Sequence, residues 1–279
     1  MLAHSGSHDV VDAYSALALG LLAAVTIAYT AGAVRLRRSD PRGWPESRIA
    51  SFLFGAGLMV MALVPSSLPF GAHDFHRHML QHLLLGMFAP LAMVLGAPVT
   101  VLFRSSPPNR SRRVGRLLNN RPLRLATHPA VLIALTVGGL IAVYFTPLYN
   151  AVTDNEILHN AIHLHFFISV YLFAWIIAGA DPAPHRPRVP VRLFYVGLAI
   201  LGHAVISQLL YAGIWVQVDV PAAERRAAGD LMYYGGDIAE LLLALAVVTT
   251  WHPRVAAPRR VLEPGAVAAE QVLVGDTSA

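Results

Sequence analysis

Residues 78–104 read HMLQHLLLGMFAPLAMVLGAPVTVLFR. From 78 to 103 the run contains no Asp, Glu, Lys or Arg. As a helix rising 1.5 Å per residue it would be about 39 Å long, more than the roughly 30 Å of a hydrocarbon core. That length without charge makes lipid, not water, the solvent of this segment. Six more apolar runs of comparable length lie at 11–34, 49–68, 129–148, 157–179, 191–213 and 231–251. The expected fold is therefore all-α, a polytopic integral membrane helix bundle of about seven transmembrane helices.

Composition agrees. The 279 residues are 56% hydrophobic and only 13% charged, and the mean hydropathy is positive, which is too apolar for an ordinary soluble globule. The formal net charge is +5, yet there is no lysine, and eighteen of the twenty-one arginines fall in 35–48, 104–128, 180–192 and 252–279. The alternate loops hold only Arg77, Arg225 and Arg226. Such asymmetry is the positive-inside pattern: the Arg-rich segments are expected in the cytoplasm, the N-terminus outside and the C-terminus inside. The charge thus reads as topology, with no nucleic-acid partner. Arg35, Arg37 and Arg38 follow the first apolar run and nothing basic precedes it, so that run is expected to be a retained span and not a cleaved signal. Residues 1–252 read as a single membrane helical domain. The Pro-, Ala- and Val-rich tail 253–279 is expected to be poorly ordered. The segment 104–128, with seven arginines and three prolines, predicts a cytoplasmic loop carrying a short interfacial helix near 114–118.

Cysteine is absent, which excludes disulfides and thiolate metal sites. Any bound metal must use His, Met or carboxylate. The thirteen histidines are unevenly spread. Around the third run the chain reads AHDFHRHMLQH, with His73, His76, His78 and His82; the fifth run opens EILHNAIHLHFF, with His159, His163 and His165. His78 and His82, and likewise His159 and His163, are four apart and share a helical face. If the third and fifth runs are neighbours, four imidazoles can meet at one depth. Imidazole suits copper, zinc, iron and nickel, and nearby thioethers, Met79 and Met232, would favour copper as Cu(I). An i, i+4 pair can equally be a structural hydrogen-bonding pair or an interfacial anchor. His4, His8 and Asp9 could form a loose outer capture site, or be an accident of composition. His165 is expected to be packed or hydrogen-bonded, and His128, His185 and His252 carry no assigned role. Deeper in the bundle, His203, Asp237 and Glu240 are ionisable groups that must face the interior. His203 and Glu240 fall at one level and are expected to pair, supporting the metal ligands, relaying an ion, or simply clamping two helices. Gly86, Pro90, Gly96 and Pro98 predict close packing and a kink in the third run.

The 78–104 stretch resembles the signature of the CtaG-type cytochrome c oxidase assembly factors of Gram-positive bacteria. The likeness rests on His78, Gln81, His82, Pro90, Gly96 and Pro98. HNAIHLHFFISVYLFAW at 159–175 looks like that family's second histidine-bearing helix, and DLMYYGGDIAEL at 230–241 is similar to its last span. The resemblance implies a multi-pass protein of the bacterial plasma membrane that matures a haem-copper oxidase by handling copper for the catalytic subunit. It does not imply catalysis. On this reading His78, His82, His159 and His163 hold copper, with His73, His76, Met79, Met232 and Asp230 as auxiliaries; the partners are an oxidase subunit and the bilayer, and a homo-oligomer is left open. Three other readings stay open: a copper transporter working through His203, Asp237 and Glu240, a bis-histidine haem protein, and a purely structural scaffold.

Overall fold

The computed structural model describes residues 5–39, 43–64, 67–71, 74–118, 120–153, 155–183 and 186–251, with no side-chain description at 5–14, 108, 110 and 117. Every element among the described residues is helical. In chain order they are α1 (Ser5–Ser39), α2 (Glu46–Leu63), α3 (Phe75–Leu83), a π-helical turn (Leu84–Phe88), α4 (Ala89–Leu95) and α5 (Pro98–Ser105). Then follow α6 (Pro108–Leu118), α7 (Arg121–Ala126), α8 (Pro129–Phe145), α9 (Leu148–Thr153), α10 (Glu156–Ala178), α11 (Val189–Ala212) and α12 (Ala222–Thr249).

Among the described residues, six helices are long and apolar enough to cross a membrane: 15–39, 46–63, 75–105, 156–178, 189–212 and 222–249. The fourth expected span is the shorter α8, 17 residues, or about 25 Å of rise. The 75–105 segment is the hub. It is 61% buried over its apolar window, against 17–44% for the other five, because α2, α10 and α12 all pack on it. Helices α11 and α12 form the most extensive pair. Lipid tails are as apolar as leucine, so such pairs depend on backbone proximity and small residues. Gly229 shows this: a Cβ there would stand 2.9 Å from the Tyr211 backbone nitrogen of α11.

The expected single helix over 78–103 is corrected by its own prolines. Pro90 has no N–H to offer the preceding turn, and the chain widens to a π turn in which Ala89 N–H bonds the Leu84 carbonyl. At Gly96–Ala97 the helix stops. Ala97 is left-handed at φ 53°, and Pro98 opens α5. Backbone groups freed at membrane depth must find partners inside the protein. Here the Tyr29 hydroxyl of α1 donates to the Gly96 carbonyl at 2.8 Å. The Asp181 carboxylate, from the loop after α10, accepts from Val99 N at 2.9 Å, Thr100 N at 2.7 Å and Thr100 Oγ1 at 2.6 Å. Asp181→Ala is therefore expected to cost about 2 kcal/mol. The change should appear as a lowered Tm in detergent, with Asp181→Asn losing less because its amide oxygen still accepts.

Other boundaries also shift. The second run ends at Leu63, not at 68; Val64 is extended at ψ 105°, as a residue before proline prefers. The last run starts at Ala222, nine residues before its expected start at 231, because the Ala-rich stretch after Pro221 continues the helix outward and Glu224 sits in its first turn. The interfacial helix expected near 114–118 is the longer α6, joined by the short α7. The tail 253–279 and the residues His4, His73, His185 and His252 lie outside the described residues.

Candidate functional site

The N-terminus of α3 is fixed before its histidines are aimed. Asp74 caps it, accepting from His76 N at 2.9 Å and bonding His76 Nδ1 at 2.6 Å. The His76 backbone N–H holds the Asp74 carboxyl below its ordinary value. The cap is therefore fully formed at neutral pH and is lost only on acidification through that lowered value. Phe75 N–H donates to Glu224 of α12 at 3.4 Å. At the start of α10, Asn155 caps by accepting from Leu158 N at 3.0 Å.

With those ends fixed, α3 and α10 bring three imidazoles together. Ring centroids lie 6.4 Å apart for His78 and His159, 6.0 Å for His78 and His163, and 4.2 Å for His159 and His163. The neighbourhood of the third and fifth runs, on which the sequence argument depended, is thus found. An aromatic wall backs His78: Phe75 stacks at 5.9 Å, and Tyr149 and Tyr144 meet it edge-on at 5.1 and 6.4 Å. Burial, with a smaller contribution from Glu224, pushes the Tyr149 hydroxyl up to about 12, so it remains a neutral O–H beside the imidazoles. His159 and His163 line a groove of about 400 Å³ together with Gln81, Asn160, Leu21 and Met59. Gln81 itself donates to the Ala62 carbonyl at 3.0 Å, tying α3 to α2. His163 Nε2 is buried and has no hydrogen-bond partner.

His82 does not join the three. Four residues along a helix advance about 6 Å and turn about 40°, which carries its ring inward against Phe166 at 5.0 Å. It faces a second cavity with His203 of α11 and Glu240 of α12. Of the four imidazoles expected to meet, three are in mutual ring contact, and His82 sits one turn further along α3 against Phe166. His203 and Glu240 share that cavity, but neither His203 nitrogen nor Glu240 Oε2 has a partner, so the expected direct pair is not formed. Asp237, one turn before Glu240, is only partly buried.

The remaining candidates are placed differently. Met79 and Met232 are fully buried in one apolar cluster, and the Met79 sulfur takes the Tyr144 hydroxyl at 4.0 Å. Asp230 is exposed. His165 donates to the Leu135 carbonyl at 3.2 Å, the hydrogen-bonded role expected of it, and the His128 ring accepts from Ala130 N at the start of α8. Tyr144, Tyr149 and Phe166 were not legible as site residues, since nothing in their spacing distinguishes them from packing or belt aromatics.

As positioned, no three His, Asp or Glu side chains among the described residues stand close enough to hold one metal ion. A nitrogen ligand at about 2 Å puts its ring centroid about 3.2 Å from the ion, which caps centroid separations near 6.4 Å. The outer rings reach that ceiling, so a shared ion requires side-chain rotation.

Comparison with known proteins adds the biological frame. A family model described as cytochrome c oxidase caa3 assembly factor (Caa3_CtaG) matches residues 27–253. Uncharacterised proteins of Mycobacterium bovis and Mycobacterium tuberculosis are each 29% identical over 246 residues, covering 81% of this chain and 37% of their own length. One from Mycobacterium leprae is 27% identical over 244 residues with the same coverage. The chain thus spans well under half the length of the curated relatives it matches. No solved structure matches it.

Proposed function

This chain belongs to the caa3 cytochrome c oxidase assembly factor family, and from that premise we propose that it holds copper for a haem-copper oxidase and passes it on within the membrane. His78, His159 and His163 take the ion near the outer surface, and His82, one turn deeper, is the next ligand along the same helix. The observation that carries this reading is the meeting of three imidazoles from two spans, with His163 Nε2 buried and unpartnered. A buried polar nitrogen without a partner costs on the order of 1–3 kcal/mol, which coordination would recover. Imidazole suits copper, zinc, iron and nickel, and the family's link to a cytochrome c oxidase favours copper among them. The bundle is read as seven spans, α8 included, in a bacterial plasma membrane, with the Arg-rich ends in the cytoplasm.

The groove beside His159 and His163 is bounded by apolar residues of α1 and α2, which favours hand-over to a client helix in the bilayer. On the Arg-rich side of the inner cavity, Leu91, Val94, Ile176, Ile177 and Val247 form an apolar cluster. An apolar plug there favours holding over conduction across the membrane. The test is an oxidase purified from cells carrying the His78→Ala, His159→Ala, His163→Ala triple variant. It is expected to retain haem and lose most of its catalytic-subunit copper; an oxidase with full copper content removes the proposal.

A further inference from the structure

Glu240 is the least expected residue in the bundle, a carboxyl 7% exposed in the middle of an apolar span. Its Oε2 has no hydrogen-bond partner, and neither do Nδ1 and Nε2 of His203, which is 6% exposed. His82, also 6% exposed, lines the same cavity. These three side chains come from α3, α11 and α12, and the rest of the lining is almost wholly apolar, with Leu91, Ile133, Val137, Leu140, Phe173 and Leu243 among it. A clamp between helices would have spent its polar atoms on each other; these atoms stay unpaired in side chains that line a cavity of about 60 Å³. That is several times what one water requires. Two local features keep the space open. A Cβ at Gly236 would collide with the His203 ring, so only glycine leaves room for it, and the π turn beginning two residues after His82 is a distortion that commonly marks a binding site.

We infer that His82, His203 and Glu240 form a second, inner site for a divalent transition-metal cation of the zinc or copper(II) class. Two imidazoles and a carboxylate are a recognised donor set for such borderline ions, with open positions left for water or a third ligand. The carboxylate supplies the negative charge that an ion needs in an apolar surround, which the three outer imidazoles lack. The inner site stands on its own residues and would hold even if the outer rings bound nothing. The ligands are not at bonding separation as positioned, so binding requires their side chains to rotate toward one another.

Zinc alone is the probe, because it is redox-silent. Full-length protein in detergent is compared with the His159→Ala, His163→Ala double variant, which empties the outer cluster and leaves the inner three intact. The double variant is expected to retain one zinc per chain and to be stabilised thermally by it. Adding Glu240→Gln or His203→Ala to that background should weaken this remaining zinc at least 30-fold and abolish the thermal shift. Glu240→Gln keeps the shape and polarity of the buried carboxyl, so it is expected to fold as well as the parent, and X-ray absorption of the zinc-loaded parent should show mixed nitrogen and oxygen ligands. Zinc that binds equally well after both inner substitutions, or no zinc at all in the double variant, overturns the inner site. Failure of the copper proposal reads differently, as unchanged oxidase copper in the outer-ring variant.

Discussion

Replacing His163 with alanine is expected to weaken Cu(I) binding by about 100-fold, equivalent to roughly 2.7 kcal/mol. His163 is the ring that joins the other two, 4.2 Å from His159 and 6.0 Å from His78. Without it the remaining pair is 6.4 Å apart, at the far limit for sharing an ion. Competition against a chromophoric Cu(I) chelator in detergent measures the change. The matched control is His165→Ala, whose imidazole is committed to the Leu135 carbonyl and whose loss should leave the titration unaltered. A pH series adds an independent signature. Only neutral imidazole coordinates, so affinity should fall on acidification once protons compete for the rings. The decline should be shallower in His163→Ala, because one fewer proton competes with the ion. Equal affinity and equal pH slope in the variant and the parent would end the copper-holding proposal.

Gly236→Ala is expected to destabilise the bundle by about 2–3 kcal/mol, the cost of forcing atoms into a filled core position. The added methyl has no free volume, since the His203 ring occupies the place of its Cβ. Helix propensity alone would predict the opposite sign, as alanine stabilises a helix interior by about 1 kcal/mol over glycine. Gly57→Ala on α2 supplies that contrast: nothing lies within 4 Å of its Cβ position, and its Tm should hold or rise. A double-mutant cycle then identifies the cause. If the clash is with the His203 ring, His203→Ala in the Gly236→Ala background should recover part of the lost Tm. Strict additivity of the two substitutions would mean that the close approach of α11 and α12 is limited by something other than this imidazole.

The expectations that held were those written into local chemistry. Uncharged apolar runs located the membrane helices to within a few residues at 129, 157 and 191, and the two i, i+4 histidine pairs appeared on helices that do meet. Errors gathered where backbone continuity depends on distant partners. Proline and glycine in 78–104 signalled a kink, but a full stop at Gly96–Ala97 is tolerable only because Tyr29 and Asp181 satisfy the freed groups. Tyr29 lies 67 residues away in sequence, and Asp181 82 residues from Val99, so no window of sequence could register either.

By itself the sequence determined the solvent, the helices, the asymmetry of charge and the presence of imidazole pairs on two runs, because hydropathy, rise per residue and i, i+4 spacing are local properties of the chain. Tertiary structure alone decided that those two runs are neighbours, that three imidazoles make ring contact while His82 packs on Phe166, and that His203 and Glu240 line one cavity without bonding each other. The physical reason is that apolar helix faces are nearly interchangeable in lipid. Which faces meet is fixed by close contacts at residues such as Gly229, Gly236 and Phe166, and those contacts exist only once the bundle has assembled.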